Sequence, residues 1–426
     1  MTAGAATNTA GEAAGDATFD VAVIGAGPAG ACAAIAAARA GARVLLVDRS
    51  VFPRAKVCGC CLTAAGVAGL RALGAEHAVA DAAPLATVRL SCGARSVTLR
   101  RAAGVAIGRE QLDVRLIECV RAHGVEVRLG VAARVAADGT LALRADADGR
   151  AACTVRARTT IVADGLGGTA LDEVDGFAWT VAPRSHMGFG AVIGGGGGGG
   201  GDGCETRGAS AGAGACAVDC APGEIAMRVA RGGYIGAVRL PCGAIDIAAA
   251  VEPEFLRATG SVAACALALL GDAARDHEAI RAARWRGTPQ LTRRRRSIAA
   301  PGLLVAGDAA GYVEPFTGEG MTWAIATGSA AGLLAARDPE PHRAWPALHA
   351  RLVGGARLRC RAIALALRSP RFTRAVIALG SLAPAPLERI AASIGRADVA
   401  PASAHDAAPT ALHGRAAALD RREVLG

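Results

Sequence analysis

Three glycine-rich segments, far apart in the chain, constrain its fold more than anything else in the 426 residues. VAVIGAGPAG occupies 21–30, ADGLGG 163–168 and LLVAGDAAGYVEPFTGEGM 303–321. The first reads as a short buried parallel strand, a tight turn and a helix start, with AGACAAIAAARAG (29–41) as the helix. Gly25, Gly27 and Gly30 keep the G-x-G-x-x-G spacing, with Pro28 and Ala29 between the last two. The first glycine permits the turn, the second lets backbone approach a pyrophosphate, and the third packs helix on strand. The N-terminus of the helix supplies free N–H groups for the phosphates. RVLLVD (43–48) reads as the second strand and ends in Asp48, 18 residues past Gly30. An acid about 20 residues on is the ribose partner of a dinucleotide. A chance glycine-rich turn would not bring strand, turn, helix, strand and acid in this order.

Further strings extend the pattern: DRSVFPRAKVCGCCL (48–62), GREQLD (108–113) and the GD…P-x-x-GEG run within 307–320. With them the chain resembles the para-hydroxybenzoate hydroxylase-fold FAD-dependent oxidoreductases. Within that superfamily it is most similar to the branch of geranylgeranyl reductases, flavin halogenases and related monooxygenases. The resemblance covers roughly residues 19–340. It implies FAD as cofactor, with Asp48 on the adenosine ribose and Arg109 near the pyrophosphate. Arg49, Arg54 and Lys56 join the same set. Asp164 and Gly165 form the DG motif, and Gly307 with Asp308 holds the ribityl chain. Pro315 walls the isoalloxazine. Gly318, Gly320 and Met321 open a helix, read over 317–336, whose positive end faces the charge of a reduced flavin. The family usually ends the second strand with Glu; Asp48 is shorter and weakens that contact.

Composition narrows the partners. Hydrophobic residues make up 52% of the chain but aromatics only 3%, so Ala, Val and Leu must build the core. The formal charge is +10, yet Lys56 is the only lysine among 47 basic residues. That bias points to a high-GC genome rather than to nucleic acid, and no basic stripe is interleaved with aromatics for base stacking. TRRRRS (292–297) reads as a solvated loop. Lys56 suits a contact with flavin phosphate or substrate, or an ordinary surface position. The 13 cysteines include no pair of C-x-x-C units, so no metal site is expected. Residues 1–18 lack a secretory pattern, and reduced thiols in a cytoplasmic protein fit. The uncharged run Gly320–Ala336 has 17 residues, short of the ~20 that span a membrane. No integral membrane segment is expected.

The expected fold is α/β: a Rossmann-like FAD-binding domain with an inserted β-rich substrate domain and C-terminal helices. The FAD-binding domain is discontinuous, over 19–86, 105–170 and 285–340. Residues 87–104 and 171–284 form the substrate domain, with a Gly-rich insertion at 194–215. Within that domain a single helix is expected over 252–270. C-terminal helices follow over 341–395. The tails, 1–18 and 396–426, are expected to be disordered and loose.

Flavin carries the hard chemistry, so no protein nucleophile is required. One fingerprint leaves no stable NAD(P)H domain. NAD(P)H is expected as a transient reductant, with an external electron donor as the alternative. Cys58 matches the substrate-facing cysteine of similar reductases and reads either as a substrate-positioning or proton-delivering group or as loop packing. Tyr234, the other catalytic candidate, reads as pocket lining, with acid catalysis as the lesser alternative. Tyr312 and Glu314 read as loop anchors, and His186 as structural. The four tryptophans are too dispersed for the halogenase W-x-W-x-I-P string. GGYIGAVRLP replaces the reductases' Y-x-W-x-F-P, which suggests a remodelled pocket for an apolar or aromatic small molecule. The leading expectation is therefore a monooxygenase of secondary metabolism using NAD(P)H and O2. A geranylgeranyl-reductase-like C=C reductase and a non-enzymatic electron shuttle are the alternatives.

Overall fold

The computed structural model describes residues 18–145, 151–194, 216–314, 316 and 318–393. The expected tails (apart from Thr18), the glycine-rich insertion from 195 to 215 and Pro315 lie outside the described residues.

The first sheet has a parallel core in the order Leu303–Val305, Ala151–Val162, Thr18–Ile24, Val44–Asp48, Glu126–Leu129. Val21, Val23, Leu45 and Leu46 are fully buried, as strands covered on both faces must be. Helix Pro28–Arg39 covers one face, together with Arg109–Ala122 and Gly320–Arg337. Two glycines explain how closely the first and last of these helices pack. A Cβ on Gly328 or Gly332 would lie 2.0 Å from the carbonyl oxygen of Ala29 or Ala33. The glycine face lets one helix backbone rest directly on the other.

The second sheet has eight strands, in the order Arg286–Gln290, Met187–Ile193, Ile245–Val251, Gly233–Arg239, Glu224–Ala230, Ala83–Cys92, Arg95–Ala106, Cys61–Thr63. Among the described residues only the Glu224–Ala230/Ala83–Cys92 pair of this sheet is parallel. Alternation sorts its side chains. Ile235, Ile245, Ile247 and Val251 pack against helix Val262–Leu270. Tyr234, Gly236, Val238, Asp246 and Ala248 line the opposite face, over a cavity.

Several expectations change here. Arg286–Gln290, placed with the FAD-binding segments, pairs with Met187–Ile193 in the second sheet. It is an edge strand, which tolerates Pro289 and carries little strand signature. Cys61–Thr63 and Ala83–Cys92 also join that sheet, so the chain crosses between the two layers more often than expected. The single helix over 252–270 is two, Pro253–Thr259 and Val262–Leu270. Gly260 takes a left-handed φ of 76° and Ser261 caps the second helix through Ala264 N–H. TRRRRS is not a solvated loop. Arg293–Arg295 is a strand between Trp179–Val181 and Gly311–Tyr312. Buried Arg295 donates to the carbonyls of Ala309 (3.0 Å) and Phe177 (2.7 Å) and stacks on Trp179. Cys242 is disulfide-bonded, an exception to the expected reduced thiols.

Among the described residues no single helix is long and apolar enough to cross a membrane. The C-terminal part forms Pro341–Leu367, Pro370–Leu382 and Pro384–Ser393, the last two packed on Arg95–Ala106.

Candidate active site

A cavity of about 700 Å³ runs between the two sheets and reaches the C-terminal helices. One end is polar and is built by the glycine turn. Gly25 takes φ 104° and a Cβ there would lie 2.5 Å from the Ala163 carbonyl oxygen, so the first and second glycine segments touch. A Cβ on Gly30 would sit 1.7 Å from the Gly25 carbonyl oxygen. Gly30 and Gly307 support the cavity wall without lining it; Gly25, Gly27, Pro28 and Ala29 line it. Helix Pro28–Arg39 starts at Gly27 with no side-chain cap. Its first N–H groups therefore remain to be satisfied by a ligand or water.

Two guanidiniums stand over that turn. A Cβ on Gly27 would lie 3.6 Å from Arg54 Nη2 and 3.7 Å from Arg109 Nη2. Arg109 is held in place by a bidentate pair with Asp113, at 3.0 and 2.8 Å. Arg54 lies 3.7 Å from both Asp48 and Asp113, and its buried Nε has no hydrogen-bond partner among the described residues. Lys56 faces the same space, with Nζ 3.1 Å from where a Gly165 Cβ would be. Burial lowers its pKa, and Arg109 and Arg54 lower it further against Asp308 and Asp113. Cations gathered at an uncapped helix N-terminus, with Lys56 exposed to the open cavity, suit a bound diphosphate.

The acids follow. Asp48 accepts from Ala26 N–H at 2.7 Å and Ser50 N–H at 2.8 Å. These bonds fix the turn and leave lone pairs for further donors. Asp164 accepts from Ala170 N–H at 3.0 Å, while its buried Oδ1 has no hydrogen-bond partner among the described residues. Asp308 sits in the short turn Gly307–Ala310; burial raises its pKa, opposed by Lys56, Arg109 and Arg357. Arg49 lines the cavity beside Asp48.

The other end is apolar. Val88, Leu90, Leu99, Ile225 and Met227 come from the second sheet. Tyr234 meets Phe316 edge-on at 5.0 Å. Leu367, Phe372, Leu387 and Ile390 come from the C-terminal helices. Phe372 and Ile390 are each 51% exposed, so they form the mouth.

Between the ends lies the CGCCL loop, with Gly318, Gly320 and Met321 across from it. Cys58 Sγ accepts from Cys60 N–H at 3.4 Å. The Cys60 thiol lowers the Cys58 pKa to about 6, with help from Arg109 and against burial. Cys60 is correspondingly held up by Cys58 and by burial. Burial pushes Cys61 up to about 12.

Residues 20–167 match the family described as FAD dependent oxidoreductase. A menaquinone reductase of Mycobacterium tuberculosis is 30% identical over 390 residues, covering 84% of this chain and 86% of the relative. The chain belongs to the FAD-dependent oxidoreductases.

A menaquinone reductase of Mycolicibacterium smegmatis is 28% identical over 389 residues, with 83% of this oxidoreductase and 85% of the relative covered. Among solved structures, the flavin-dependent brominase Bmp2 superposes with a TM-score of 0.69 at 16% identity, over 89% of this chain and 94% of that one. A geranylgeranyl bacteriochlorophyll reductase-like protein from Thermoplasma acidophilum superposes with a TM-score of 0.64 at 18% identity, over 84% and 90%. These two show the shared fold.

Two residues of this oxidoreductase, Asp246 and Arg368, escaped the sequence reading. Asp246 is a buried acid on the cavity face of Ile245–Val251. The Ile-Asp-Ile alternation places it opposite the isoleucines, which was the available sign. Glu314, read as a loop anchor, is 1% exposed and is bonded by His186 Nδ1 at 2.8 Å and by Arg368 at 3.3 Å. Arg368 thereby ties the C-terminal helices to the third glycine segment; no motif marks it.

Proposed function

We propose that this oxidoreductase reduces a carbon–carbon double bond in a long isoprenoid lipid, of the class of an isoprenoid quinone. The observation that carries the reading is the apolar half of the cavity, which continues from the CGCCL loop to a mouth at Phe372 and Ile390. A chain-like apolar substrate fills such a passage; a compact aromatic needs no opening of this kind. The 30% identical menaquinone reductase supports the same class.

In this reading Arg54, Arg109 and the uncapped helix N-terminus hold the FAD diphosphate. Asp48 takes the adenosine ribose, and Asp308, with Lys56 near it, takes the ribityl hydroxyls. The flavin, once reduced by NAD(P)H or a carrier protein, supplies hydride. The CGCCL loop and Gly318–Met321 confine the reacting carbon, and the leucines and phenylalanines keep water away from it. The mouth opens toward a membrane surface, where such a lipid resides.

The test is product mass. The protein should carry FAD, not FMN, because its polar end addresses the adenosine half. Reduced anaerobically and mixed with menaquinone, it should yield a product two hydrogens heavier that keeps them after re-exposure to air. Reduction of the quinone ring alone would revert in air and would sink the C=C reading. A gain of one oxygen atom in air would restore the monooxygenase expectation.

A further inference from the structure

The second sheet contributes one acid to the cavity among the described residues, Asp246. It is 4% exposed, and its Oδ2 has no hydrogen-bond partner among the described residues. The side chains paired with it across the sheet, Val192 and Val238, carry no polar atom. Along the strand, Ala248 follows on the same face, and Gly236 lies on the next strand. These small residues leave room for a ligand in front of the carboxyl. Thiols face it from the CGCCL loop: Cys60 lies against the carboxyl, with Cys58 and Cys61 close by. No cation faces it among the groups that act on it.

A carboxyl in such a place keeps its proton. Burial raises the Asp246 pKa well above the usual range, Cys58 raises it further, and Cys60 opposes. Cys58 is in the reverse position. Its pKa of about 6 leaves it largely a thiolate at neutral pH, with no proton to give. The acid and the thiol thus have unlike roles, although they are neighbours.

We propose that Asp246 is the proton donor of the reductive step. This rests on the C=C reductase reading above. One carbon of the double bond accepts hydride from the reduced flavin, which is oxidised by two electrons. The π electrons then form the second C–H bond with the proton of Asp246. The carboxylate left behind regains a proton from water by way of the Cys60 thiol, which lies between it and Cys58. Cys58 is a positioning residue that biases this exchange.

Asp246→Asn preserves shape and removes the proton; Asp246→Ser is the second variant should Asn impair folding. Two measurements decide the matter. The first is the infrared difference spectrum between wild type and variant at neutral pH, in the FAD-free and FAD-loaded proteins. A protonated carboxyl C=O band should be present in wild type and lost in the variant. The second is anaerobic single turnover of dithionite-reduced enzyme with menaquinone, in H2O and D2O. Wild type should place two solvent deuteriums on adjacent chain carbons in D2O, because the hydride of dithionite-reduced flavin also comes from solvent. The variant should saturate the chain at least about 100-fold more slowly, the low end for a general acid, with FAD content and the rate of flavin reduction unchanged. An ionised Asp246 in the infrared spectrum overturns the proposal, and so does equal saturation by both proteins. If wild type leaves the chain unsaturated, the function reading fails and takes the donor role with it, whatever the infrared band shows.

Discussion

Asp246 and Cys58 share a wall of one cavity and are pushed in opposite directions. Burial keeps the proton on the carboxyl, whereas the Cys60 thiol and Arg109 draw it off Cys58. The pair Cys58–Cys60 exchanges one proton and titrates as a unit. Thiolate is the form that alkylates, so iodoacetamide should modify Cys58 of the FAD-free protein with a midpoint near pH 6, losing rate as pH falls below it. Cys60→Ala removes the largest cause and should move that midpoint upward. Cys61, held up to about 12, should stay unmodified in the same samples. Peptide mapping after timed quenching reads all three, and a Cys58 midpoint near 9 would refute the assignment.

At the scale of elements, the contact between Pro28–Arg39 and Gly320–Arg337 sets the position of the phosphate-facing turn. Gly328→Ala would drive a Cβ into the Ala29 carbonyl, one residue from the start of the first helix. The expected cost is about 1–3 kcal/mol of stability, as for other overpacked interiors, together with weaker FAD retention. Gly354→Ala is the contrast, since nothing among the described residues lies within 4 Å of where its Cβ would be. It should gain stability by up to about 1 kcal/mol through helix propensity. Thermal unfolding and FAD release, measured on both, separate close packing from a general dislike of substitution. Much at this scale was legible in the chain. The glycine spacing, the strand at 43–48 and the helix at 29–41 are local patterns, and the structure places Gly25, Asp48, Arg109 and Asp308 around one space. Other features depend on long-range pairing. Arg286–Gln290 becomes a strand because Met187–Ile193 offers it an edge, and the Arg54–Asp113 approach joins residues far apart in sequence. The break at Gly260 was readable, because Thr-Gly-Ser is a helix stop followed by an N-cap.

For the molecule as a whole, charge and apolar surface gather at one end. Leu358, Leu365, Phe372, Leu379, Leu382 and Ile390 are all more than half exposed on the three C-terminal helices. Residues 341–393 carry nine arginines and a single acid, Glu388. Exposed leucines beside arginines fit the interface of an anionic bilayer. The protein should therefore sediment with phosphatidylglycerol vesicles, less with phosphatidylcholine, and less in high salt. Leu379→Ser with Leu382→Ser should reduce sedimentation several-fold while FAD content holds, because neither side chain lines the cavity. Equal binding by the double variant would detach this face from the membrane. Phe372 and Ile390 belong to both the outer face and the cavity lining. An opening made of the same side chains as the surface around it has no filter against other single-tailed amphiphiles. The alkyl tail of a solubilising detergent is then a competing occupant, and rates taken in micelles will depend on tail length before they depend on the substrate.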